Sequence, residues 1–254
     1  MLYAALTFWL FIIIVTAWGV HTLWSGLVKP RVVNAVLLPG TLVAQLGHVL
    51  GLLITGNPVR NTELMSDDDK GDPKSEQPER QRIPILGPIL VGLLPLVAGG
   101  GGLFLVAKLF GSSVLSSLSG GSAFMLPQEL PTSIAAFWDL LRSLITAMEG
   151  MCSAVASSNL QNWPTLLFLY LAICLTVRMA PFEGHQRGAI GAIALAGVVI
   201  AIIGSVVGSA QDFILTSSWQ ILSFAMATLL TLLLGSLLIT GLVRLVRIMA
   251  RGDG

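Results

Sequence analysis

An all-helical, polytopic transmembrane bundle of about six spans is the fold class this sequence predicts. Three observations predict it. Hydrophobic residues make up 54% of the chain and charged residues 11%, and the mean hydropathy is +0.85. Soluble domains carry roughly 25% charged residues, so this chain has too few to cover a water-facing surface. Apolar runs long enough to cross a bilayer core of about 30 Å recur along the chain. None of them alternates with the two-residue period of a membrane β-barrel strand.

The spans fall at about 2–24, 32–55, 83–110, 163–179, 188–208 and 219–249, within a single transmembrane domain covering residues 1–254. The first run, MLYAALTFWLFIIIVTAWGV, lacks the basic start of a signal peptide and reads as a retained span. His21, between Trp18 and Trp24, reads as an interfacial residue beside two aromatic anchors. Pro84, Pro88, Pro95 and the run Gly99–Gly102 predict a bent third span, with the glycines marking a break or a very close helix contact. Cys174 lies mid-span as a small packing residue, and no disulfide to Cys152 is expected. Gly204 and Gly208 form a GxxxG packing motif in the fifth span, and Asp212 follows at the outer interface.

Lysine and arginine set orientation, because cytoplasmic loops are enriched in them. With both termini cytoplasmic, ten basic residues fall inside and four (Lys29, Arg31, Lys108 and Arg142) outside. That arrangement is the sequence expectation. The polar stretch 57–82, with Asp67–Lys70, is then a solvated cytoplasmic loop. The stretch 111–162 is external. It opens Ser/Gly-rich and continues into an amphipathic helix with Ile134, Phe137, Trp138, Leu141, Leu144, Ile145 and Met148 at helical spacing, capped by Thr132 or Ser133. Such a helix lies along the outer leaflet or binds a partner. Arg244, Arg247 and Arg251 form a basic inner-leaflet end. A net charge of +1 supplies no field for nucleic acid. The scarcity of charge within the spans argues against ion-coupled transport, which needs embedded carboxylates.

The most specific stretch is Pro39–Gly56, PGTLVAQLGHVLGLLITG. Two histidines four residues apart on one helix face can share a zinc ion, and a glutamate after the first activates the metal-bound water. Here the five residues are Ala44-Gln45-Leu46-Gly47-His48. Ala44 has no ligand atom, and Gln45 cannot act as a general base. Gly40, Ala44, Gly47 and Gly51 form a stripe of small residues suited to close helix packing. His48 reads either as a hydrogen-bonded structural group or as a metal or substrate ligand.

This frame resembles the P-G-T-L-x-H-E-x-x-H-x-x-x-x-L-x-x-G helix of bacterial membrane proteins related to site-2-type intramembrane zinc metalloproteases. Leu86-Gly87-Pro88 with Gly92-Leu93-Leu94-Pro95-Leu96 is similar to that family's next apolar span, and Met179–Ala189 to its turn carrying an acidic residue. The resemblance covers roughly Val32 to Val199. It implies a bacterial inner-membrane protein of metalloprotease-like build whose catalytic set is dismantled: a pseudoenzyme that holds a membrane-protein partner, forms a homo-oligomer or serves as a complex subunit within the lipid bilayer, without a cofactor. A second implication is a divergent active protease with zinc on His48, His185 and Glu183. A third reading, from the glycine run alone, is a small-solute transporter or channel lined by Gly99–Gly102.

Overall fold

The computed structural model of the protein describes residues 2–63, 74–76, 86–118, 125–179 and 219–251. In chain order the elements are α1 (Leu2–Leu27), α2 (Pro30–Val36), α3 (Leu38–Ile54), β1 (Arg60–Glu63), β2 (Lys74–Glu76), α4 (Leu86–Phe110), α5 (Ser112–Leu118), α6 (Ile134–Ser157), α7 (Trp163–Val177) and α8 (Trp219–Arg251). Among the described residues the chain is helical apart from turns and the antiparallel pair β1–β2, which occupies part of the stretch expected to be loop. Among them three helices are long and apolar enough to cross a membrane: α1, α4 and α8. The bent pair α2–α3 is a fourth candidate, and α7 is a shorter apolar helix. The expected span 188–208, its GxxxG motif and Asp212 lie outside the described residues.

The expected span 32–55 is not one helix. It breaks at Leu37 with a 75° bend. Proline is the physical reason: Pro39 has no N–H to give to a preceding carbonyl, and its fixed φ suits the first turn of a new helix. The carbonyl of Val36, at the break, accepts a hydrogen bond from the Tyr170 hydroxyl at 2.8 Å and one from the Cys174 thiol at 3.4 Å. Donors from α7 therefore satisfy a group that apolar surroundings would leave at high cost. Cys174 is buried, and both cysteines are free.

The expected bend of the third span is also absent as a break. Helix α4 runs unbroken through Pro95 and all four glycines. Neighbours support it where proline and glycine weaken it. A Cβ at Gly102 would sit 3.3 Å from Leu175, and one at Gly99 3.5 Å from Met179.

Contacts fix the directions of the helices. Gly47 lies against Leu94–Pro95 and Gly51 against Val91, so α3 and α4 are antiparallel. Gly111 meets Phe168, Gly102 meets Leu175 and Gly99 meets Met179, so α4 and α7 are antiparallel. Helices α1 and α8 run parallel. At one end the indole N–H of Trp9 donates to Pro127 at 2.9 Å and that of Trp219 to Leu126 at 2.7 Å. Further along, Gly19 meets Leu233, and Trp24 donates to the Ser236 hydroxyl at 2.7 Å. A first and last span of a six-span chain with both termini on one side would be antiparallel, so this differs from the sequence expectation. Helix α3, antiparallel to α4, therefore runs parallel to α7, with α2 set across it at the 75° bend.

The amphipathic helix is α6, capped by the Ser133 hydroxyl, which accepts from the Ala136 N–H at 3.1 Å. It docks on the bundle through Leu140, Ala147, Met151 and Ala154 rather than through the expected apolar face. Ile134, Phe137, Trp138 and Ile145 of that face point away from the protein, and Leu141, Leu144 and Met148 are half-buried. Two apolar stripes on one helix suit an element with protein on one side and lipid on another.

Candidate functional site

Helix α3 carries the residues the sequence singles out. Its buried face holds Gly40, Thr41, Ala44, Gln45, Gly47, His48, Gly51 and Leu52. Glycine is required for the approach of its neighbours. A Cβ at Gly40 would collide with the Cys174 carbonyl, one at Gly47 would stand 2.6 Å from the Leu94 carbonyl oxygen, and one at Gly51 2.8 Å from the Val91 Cα. The small-residue stripe thus packs α3 backbone-to-backbone against α4 and α7, as membrane helices associate through small residues. Ala44, 3% exposed, belongs to this packed face.

Gln45 and His48 are each 3% exposed and lie one turn apart on the same face. Neither the Gln45 carbonyl oxygen nor its amide nitrogen has a hydrogen-bond partner. Among the described residues nothing offsets that, and a buried carboxamide left in that state costs about 1–3 kcal/mol. Of the sequence-predicted ligands the structure places His48, while Glu183 and His185 lie outside the described residues. Among the described residues no three His, Cys, Asp or Glu side chains gather closely enough to hold a metal ion.

A polar knot that the sequence reading missed lies nearby. Asn34 Oδ1 accepts from the Arg178 guanidinium (Nη2) at 2.5 Å and lies 3.3 Å from His21 Nε2. Asn34 is 4% exposed and Arg178 8%. His21 is therefore not a free interfacial residue, and Arg178 is not simply a charge in a loop. Together they join α1, α2 and the end of α7. Next to Arg178, Met179 packs at Gly99, so the knot sits at the mid-height of α4. A guanidinium at that depth needs polar partners. The available signal was an arginine ending an apolar run and an asparagine inside another; their pairing is a tertiary fact.

The glycine run borders a cavity of about 450 Å³ between α1, α4 and α8. Gly100 and Gly101 line it, together with apolar side chains such as Leu6, Leu10, Val97 and Phe104, and its lining among the described residues includes no polar side chain. Comparison with protein families, with curated proteins and with solved structures finds no match to this chain.

Proposed function

We propose that this chain is a non-catalytic membrane protein related to the site-2-type intramembrane metalloproteases, acting as a partner-binding or structural subunit of a bacterial inner-membrane assembly. The observation that carries the reading is the pair Ala44 and Gln45 on the buried face of α3. At the two positions where that family's helix has a ligand and a base, this helix has a packing methyl group and a carboxamide.

The proposed orientation follows from the parallel run of α1 and α8. The N-terminus is outside and the C-terminus inside, with α2–α3 re-entering from the cytoplasmic face. Lys29 and Arg31 then move inside. With Arg178 set aside because it is buried at mid-height, the basic residues divide eleven inside to two outside, a stronger bias than the nine to four obtained on the same count with both termini cytoplasmic. With a fifth span at 188–208, the chain crosses five times.

Zinc content and proteolysis test the function. Purified protein is expected to carry far less than one zinc per chain and to leave a membrane-anchored peptide substrate uncut. Stoichiometric zinc, with cleavage abolished by His48→Ala, would instead establish the divergent protease using His48, His185 and Glu183.

A further inference from the structure

The cavity beside the glycine run is where the fold leaves room it could have filled. Among the described residues a Cβ built on Gly100 or Gly101 meets nothing within 4 Å, whereas one on Gly99 meets Met179 just past α7 and one on Gly102 meets Leu175 of α7 and Val43 of α3. Two of the four glycines serve contact and two widen the space. Every described residue lining that space is apolar, and all those on α4 lie between Leu93 and Phe104, in the middle of a membrane-length helix. Val97, 58% exposed, and Phe104, 42% exposed, stand at its open side. Water gains nothing there, since an ordered water needs polar partners. An apolar cavity of about 150 Å³ takes up one six-carbon ring. By that measure about 450 Å³ has room for about eighteen carbons.

The geometry points to a binding site for one acyl chain of a membrane phospholipid, held between α1, α4 and α8. This goes beyond the partner-binding reading and requires only that these three helices sit in the bilayer. A phospholipid rather than a free fatty acid is the occupant, because no polar group in the cavity could hold a carboxylate at mid-membrane depth. A phospholipid keeps its headgroup at the surface and sends only hydrocarbon inward. The site is open on one side, so a chain enters laterally without unfolding the bundle.

The test uses the full chain in phosphatidylcholine vesicles containing a phospholipid with a photoactivatable diazirine on one acyl chain. Crosslinked peptides are mapped by mass spectrometry. Adducts are expected within Leu93–Phe104 and Leu6–Ile13, at severalfold higher yield than on the exposed α8 residues Leu238 and Ile239. Gly100→Leu and Gly101→Leu put side chains into the space and should lower the cavity adducts severalfold while leaving those on α8 unchanged. Should either variant fail to fold, Val97→Trp at the open side is expected to have the same selective effect, and Gly101→Ala to keep the wild-type yield. Cavity adducts no more frequent than those on α8, or unaffected by the filling variants, would overturn the proposal. So would displacement of the label by free fatty acid, or a high-yield disulfide between Val97→Cys and a cysteine placed in the segment 188–208.

Discussion

Arg178 donates a 2.5 Å hydrogen bond to Asn34 across 144 residues of chain, and both side chains are more than nine-tenths buried. Breaking such a contact from one side leaves a buried cation short of an acceptor. Asn34→Leu should therefore lower unfolding stability by about 3 kcal/mol. Arg178→Met, which removes the charge itself, should cost less, and the double variant should be less destabilised than the sum of the two singles. Thermal unfolding in detergent supplies the three numbers; additive losses would mean the pair does not interact.

The close approach along α3 predicts opposite outcomes for glycines in different surroundings. Gly47→Ala forces a methyl group within 2.6 Å of the Leu94 carbonyl and should destabilise by about 1–3 kcal/mol. Gly101→Ala meets open space and should stabilise by up to about 1 kcal/mol through helix propensity alone. Equal effects in a thermal-shift measurement would contradict the packing described for α3.

Orientation is checked by topology reporters. With α1 and α8 parallel, a periplasm-active phosphatase should be active when fused before Met1 and inactive after Gly254, and a cytoplasm-fluorescent protein should give the reverse. Both termini reporting the same side would refute the five-crossing arrangement.

The two cysteines give an independent reading. Cys152 on α6 is exposed and Cys174 on α7 is buried. A membrane-impermeant maleimide added outside should label Cys152 in intact cells, and Cys174 only after denaturation. Labelling of Cys152 solely after the membrane is opened would place α6 on the inner side.

Residues that act through their neighbours along the chain were legible; those that act through distant ones were not. Helices α1, α4 and α8 are apolar runs of sufficient length and α7 is a shorter one, so composition alone finds them, and the hydroxyl of Ser133 announces the start of α6. The break at Leu37 escaped because Val32–Thr55 is apolar enough on average to read as one span, and hydropathy does not register an N–H that Pro39 lacks. The glycines of α4 suggested a break or a close helix contact; the helix runs unbroken, and the contact is the one Gly102 makes with Leu175 and Val43. His21 was read from its aromatic neighbours, while its actual company, Asn34, comes from another helix. For α3, the sequence showed that Ala44 and Gln45 are poor chemistry; only the fold showed that Gln45 is sealed in without a hydrogen bond.

The elbow at Leu37 also dictates a timetable. The Val36 carbonyl takes its donors from Tyr170 and Cys174, 134 and 138 residues downstream. During synthesis, the ribosome must deliver α7 before the elbow can settle into hydrocarbon. Until then α2 and α3 have to wait at the headgroup layer, where water can stand in for the missing hydroxyl and thiol.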